Sequence, residues 1–192
     1  MLYSKRCKKG QEMNNNDIWV FGYGSLVWQP GFVFTDKKIA SLRDYQRSFC
    51  MWSIHHRGTP ENMGLVLALD YQKGARCDGV AFRVSAQDAA QTLAYLRERE
   101  LVSSAYIEVI REVELQSGEC VQAYFYVVDP DHEQYTGVLK LEHQAQVIAH
   151  ATGNRGPNSE YLINVAQNLK ALDLEDPELE WLSNRVQEIR AS

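Results

Sequence analysis

The chain has 192 residues, 45% of them apolar and 23% charged, a composition that suits one globular domain with at most a helical appendage. Its 20 basic and 25 acidic residues give a formal charge of −5 and alternate along the chain, which excludes the clustered basic surface of a nucleic-acid binder. No window approaches the about 18 apolar residues that a membrane-spanning helix needs, so no membrane partner is expected.

Residues 1–16, "MLYSKRCKKGQEMNNN", are basic and then Asn-rich, without the apolar core of a signal peptide. They are expected to form a disordered lead into a single domain over residues 17–192. Residues 18–23 form a buried-type strand, and Pro30-Gly31 marks a turn. "KKIASLRDYQRSFCMWS", residues 37–53, reads as one long or bent strand. After a loop over residues 54–63, Gly64 to Tyr71 and Asp78 to Val84 read as a hairpin turning at Lys73-Gly74. Ser85 is an N-cap candidate for a helix from Ala86 to about Leu101, with Asp88 near its positive end. A second hairpin runs from Tyr106 to Leu115 and from Cys120 to Asp129, turning at Ser117-Gly118. Helices follow over about 142–151, 159–172 and 177–189. Strands first, one embedded helix and helices gathered at the end argue an α+β fold.

Four cysteines, Cys7, Cys50, Cys77 and Cys120, form no C-x-x-C pair. They indicate neither a zinc site nor a disulfide framework, and reduced thiols in a cytoplasmic protein are the simplest reading. The strand "WVF" breaks into Gly22-Tyr23-Gly24-Ser25-Leu26. Glycines there let a ligand approach the backbone amides, whose N–H groups suit a carboxylate or a developing oxyanion. The alternative is a plain tight turn. Neither the G-x-G-x-x-G nor the G-x-x-x-x-G-K phosphate loop is present, and Ser25 lacks the G-x-S-x-G spacing of a hydrolase nucleophile.

In the helix "AAQTLAYLRERE", Ala89, Leu93 and Leu96 lie within roughly 60° of one another at about 100° per residue, and Glu100 falls in that stripe. A carboxylate on a core-facing stripe must be paired, bonded or turned to a cavity. With a raised pKa it becomes a candidate general base; a frayed helix end is the alternative. Glu98 and Arg99 read as solvated charge. His55, His56 and Arg57 lie in a loop beside a strand end. Adjacent histidines without an i+4 partner make a poor metal site, whereas the Arg57 fork suits a carboxylate or, alternatively, a surface ion pair. No placement in the sequence joins Cys50 to a histidine as a nucleophile pair. In "TGNRGPNSEYL", Asn158 or Ser159 is expected to cap the following helix, with Tyr161 in its first turn.

Six blocks, "VFGYGSLVW", "HRGT", "GVAFRV", "YLREREL", "VVDPDHEQY" and "GPNSEYL", resemble in order and spacing the ChaC-like γ-glutamylcyclotransferases, over about Ile18 to Ile189. The resemblance implies a small mixed β-barrel with surrounding helices and a helical C-terminal region. It implies breakdown of glutathione to 5-oxoproline and cysteinylglycine, without metal or other cofactor. It makes Glu100 the catalytic acid/base and assigns the γ-glutamyl group to Tyr23, Gly24, Ser25 and Leu26, with Arg57 and Tyr161 as further substrate-binding candidates. The loop after "HRG" reads Asn62-Met63-Gly64-Leu65 where the family has Pro-Gly-Arg. "LVSSA" after Glu100 is closer to the bacterial branch than to the glycine-richer animal one. Two rival readings are a cyclotransferase for other γ-glutamyl amines and a non-catalytic binding module.

Overall fold

The computed structural model describes residues 8–9, 16–101 and 104–192. The chain forms two compact units, one from residues up to Gln46 together with Tyr71–Val127, the other from Arg47–Asp70 together with Val128–Ser192.

The first unit is built on a mixed sheet. Its strands are β1 (Lys8–Lys9), β2 (Ile18–Gly22), β3 (Asp36–Ser53), β4 (Gly64–Val84), β5 (Tyr106–Leu115) and β6 (Glu119–Val128), of which β3 and β4 continue into the second unit. They are ordered β1-β6-β2-β4-β3-β5, and β6 also pairs with β5, so β2 to β6 close into a five-stranded barrel. Closure gives each of β2 to β6 a hydrogen-bonded neighbour on both sides. β2 is antiparallel to β4 and parallel to β6. It is thus buried on both faces, which is why it reads as a continuous apolar run, and Val20 and Phe21 have no exposed surface. Of the expected disordered lead, Lys8 and Lys9 pair in parallel with Glu119 and Cys120; residues 1–7 and 10–15 lie outside the described residues.

The hairpin expected at Lys73-Gly74 does not form, because β4 is one continuous strand. Gly74 has φ +85° and its N–H donates to Asp44 Oδ1 at 2.7 Å, while Asp44 itself has φ +63° in β3. A left-handed residue stands in each strand where a reversal was expected, since positive φ at glycine serves a bulge as readily as a turn. The reading of residues 37–53 as a single strand, long or bent, is met by one continuous β3. α1 (Ala86–Glu100) starts as expected: Ser85 Oγ accepts from the Asp88 N–H at 3.3 Å and donates to Asp88 Oδ2 at 2.7 Å.

The second unit carries α2 (Leu141–His150), the short antiparallel pair β7 (Thr152–Gly153) and β8 (Gly156–Pro157), α3 (Asn158–Lys170) and α4 (Pro177–Ala191). α3 and α4 each bury an i, i+3, i+7 stripe: Leu162, Val165 and Leu169 on α3, and Leu179, Leu182 and Val186 on α4. Asp176 caps α4 through the Leu179 N–H at 3.1 Å, with Pro177 in its first turn. Among the described residues no helix is long and apolar enough to cross a membrane.

Two sequence expectations are corrected here. Asn158 does not cap α3. Its side chain is fully buried, accepting from the Leu65 N–H at 2.6 Å and donating to the Leu65 carbonyl at 2.7 Å, as a neighbouring strand would. Ser159, also buried, accepts instead from Arg190 Nη1. Nor are all four thiols reduced: Cys50 and Cys77 are buried thiols, but Cys120 is disulfide-bonded. Wide spacing along the chain says nothing about which sulfurs the fold brings into contact.

Candidate active site

The break after β2 is a single 3-10 turn, Ser25–Val27, in which the Val27 N–H donates to the Gly24 carbonyl and the Gln29 N–H to that of Ser25, both at 2.9 Å. The amides that open such a turn have no carbonyl of the turn to bond, so they are the groups a ligand would meet. Leu26 anchors the turn in a buried cluster with Val20, Val84, Leu96 and Tyr126. Tyr23 is buried as well.

Leu96 brings the end of α1 to that same cluster, flanked by Tyr95 and Leu101. Thr92 and Leu96 are buried, and a further i+4 step reaches Glu100. The helix does not fray before this residue. Its carboxylate has 19% of its side chain exposed, and burial raises its pKa above the usual 4.5, opposed by the charge of Arg99. That is the environment of a poised acid/base.

Arg99 is not the solvated charge its sequence position suggested. Its Nε lies 3.3 Å from Glu100 Oε1. Nη2 donates to Ser25 Oγ at 2.8 Å, and Nη1 donates to the Gln29 carbonyl at 2.9 Å and to Tyr95 Oη at 3.0 Å. One guanidinium therefore joins the end of α1 to the turn after β2. Angular position on the helix could not reveal this, because the long stem carries the fork well away from its own Cα.

Tyr126, on β6, is a second residue that the sequence reading missed. It is 2% exposed, and its hydroxyl donates to Glu108 Oε2 at 2.9 Å. Glu108 in turn takes a two-pronged ion pair from Arg97, at 2.7 and 2.9 Å, which holds its carboxyl below the usual range. Burial, then Glu108 and more weakly Glu100, push the Tyr126 pKa up. Its proton stays on oxygen and stays committed to Glu108. A Tyr at alternating positions on an apolar strand carries no sequence signal beyond core packing.

Arg57 and Tyr161 belong to the second unit, where they meet each other: the guanidinium carbon lies 5.4 Å from the centre of the Tyr161 ring. Arg57 Nη1 donates to the carbonyls of Arg155 and Pro157 at 2.7 and 3.2 Å, pinning the loop before α3. Gly153 is required by close approach, for a Cβ there would sit 2.5 Å from the His56 carbonyl carbon and 2.6 Å from the Arg57 nitrogen. Burial, followed by the charge of Arg155, lowers the His56 pKa and favours its neutral ring. Among the described residues no three His, Cys, Asp or Glu side chains are grouped to hold a metal ion.

The family model described as ChaC-like protein matches residues 18–189. The glutathione-specific γ-glutamylcyclotransferase of Escherichia coli is 34% identical over 174 residues, 91% of this chain and 74% of that protein. Glutathione-specific γ-glutamylcyclotransferase 1 of Danio rerio is 35% identical over 85% of this chain and 86% of that one. A crystal structure of a yeast γ-glutamyl cyclotransferase specific to glutathione superposes with a TM-score of 0.81 at 26% identity, covering 92% of this chain and 98% of that one.

Proposed function

This chain belongs to the ChaC-like protein family, and from that premise we propose that it degrades glutathione by cyclising the γ-glutamyl group, releasing 5-oxoproline and cysteinylglycine. The observation that carries the reading is a desolvated carboxylate, Glu100, joined by one arginine to an amide-presenting turn.

The α-ammonium of the γ-glutamyl group gives its proton to a Glu100 carboxylate oxygen, and the freed nitrogen attacks the γ-carbonyl carbon of the same molecule. Nucleophile and electrophile share one chain, so holding it folded supplies most of the acceleration. The developing oxyanion turns to the amides of Gly24, Ser25 and Leu26. The bond to the cysteinyl nitrogen then breaks as that nitrogen takes the proton held on Glu100; the ring nitrogen gives up its extra proton through the same carboxylate, and cysteinylglycine leaves as its ammonium. Water is not consumed, and no atom leaves the enzyme changed.

Tyr23 is proposed to line the γ-glutamyl pocket. Arg57 is proposed to meet a substrate carboxylate and Tyr161 to bind substrate. The family match, running from 18 to 189 through both units, supports treating residues 17–192 as one domain. We place the reaction in the cytoplasm.

The test is purified protein with millimolar glutathione, following both products by mass spectrometry beside Glu100→Gln. Products from the wild type and a loss of about 10²-fold or more in the variant are expected for removal of a general acid/base. No product from folded wild type would refute the glutathione reading.

A further inference from the structure

We propose that Arg99 is a positioning residue for this reaction, one that fixes the Ser25 hydroxyl as a hydrogen-bond donor to substrate and sets its charge beside the Glu100 carboxylate. The inference rests on the reading of Glu100 as the base and extends it to a residue with a separate task.

The argument begins with donors and acceptors. A guanidinium only donates, so the 2.8 Å contact from Arg99 Nη2 occupies an acceptor lone pair of Ser25 Oγ. The hydroxyl proton is then directed away from Arg99, and Ser25 presents a donor beside the amides of its own turn. Without Arg99 the hydroxyl rotates freely and either donates or accepts. With it, one lone pair is taken and the hydroxyl proton is turned away from Arg99, which suits an oxygen that gains negative charge. The bonds to the Gln29 carbonyl and to Tyr95 hold the guanidinium in that place from two further directions. Three anchors on one planar fork leave it little freedom to follow a substrate.

The second part is electrostatic. On its own helix Glu100 faces Arg99, while Arg97 is turned to Glu108. From β6 it is faced by Tyr126, whose proton is committed to Glu108 on β5; Tyr106 of β5 packs on the same cluster. Burial favours the protonated acid, and Arg99 is the charge that opposes it. A base must be ionised before it can act, so Arg99 widens the pH range over which Glu100 works.

The experiment measures kcat and KM for glutathione across pH in wild type, Arg99→Gln, Arg99→Lys, Ser25→Ala and Ser25→Ala/Arg99→Lys, with Glu100→Gln alongside. Loss of charge in Arg99→Gln is expected to move the acid limb of kcat/KM upward by about one pH unit, the low end for an adjacent opposite charge. Arg99→Lys keeps a charge and loses the fork. Its limb is expected to stay near that of the wild type, while kcat/KM falls about tenfold. Adding Ser25→Ala to Arg99→Lys is expected to cost little more, because without the Arg99 fork the Ser25 hydroxyl is no longer held in its donating orientation. An unmoved limb in Arg99→Gln, or Ser25→Ala and Arg99→Lys losses that simply multiply, would overturn the proposal. Should Arg99→Gln fold poorly, the Ser25 and Arg99→Lys cycle decides alone. If Glu100→Gln retains full activity, it is the base assignment that falls. A dead Glu100→Gln with an unmoved limb in Arg99→Gln removes only the role of Arg99.

Discussion

Asn158→Ala tests whether the buried amide that stands in for a strand partner holds the second unit together. The side chain has no exposed surface, and it satisfies both the N–H and the carbonyl of Leu65, at 2.6 and 2.7 Å. Each buried backbone group left without a partner costs about 1–3 kcal/mol, so losing both costs about 2–6 kcal/mol. That is a large share of the about 5–15 kcal/mol that holds a domain folded. In urea, at a slope of about 2 kcal/mol per molar, the midpoint is expected to fall by about 1 M or more. Asn158→Asp sharpens the test. It keeps an acceptor for the Leu65 N–H but turns a carboxylate oxygen toward the Leu65 carbonyl. Protonation converts that oxygen to a donor, so the folded state binds the proton more tightly than the unfolded one. Stability is then greatest below the ordinary Asp value of about 3.9 and declines as pH rises through the raised folded value. A loss below about 1 kcal/mol in Asn158→Ala, with no recovery of Asn158→Asp at low pH, would refute this account of Leu65.

Glu100→Gln is expected to be more heat-resistant than the wild type at neutral pH while losing activity. With the folded pKa raised, the wild-type contribution is fully present below the ordinary value of 4.5 and is lost as pH rises through the folded value; melting curves from pH 4 to 8 in both proteins check this. Glu142 takes a forked pair from Arg185 that holds its carboxyl at about 2. NMR titration of that carboxyl should place it there and should move it toward its usual value in Arg185→Ala. Cys50 is buried and its pKa is pushed up to about 12, so thiolate is scarce at pH 8. Iodoacetamide is expected to label it only after unfolding, as read by peptide mass spectrometry.

The barrel was legible where one physical rule acted alone. β2 is apolar on both faces because it lies inside a closed sheet, and α1 begins at Ser85 because a hydroxyl meets an orphan amide there. Gly74 defeated the same reasoning, since positive φ is needed for a turn and for a bulge alike. Only Asp44, on the adjacent strand, settles which one forms, by binding the Gly74 amide. Asn158 failed for a related reason: a capping residue and a buried amide look identical until Leu65 is brought beside it across 93 positions.

Glu100 was visible because it breaks a pattern, a carboxylate falling on an apolar line of its own helix. Its neighbour Arg99 breaks none. Its contacts are with Ser25 and Gln29, 74 and 70 positions away, and no periodicity encodes a meeting of that kind. A lone buried carboxylate would protonate, and a lone flexible turn would present its amides in many directions. One guanidinium between them addresses both costs, so under the proposed function the residue least conspicuous in sequence would serve both the Glu100 base and the turn at Ser25.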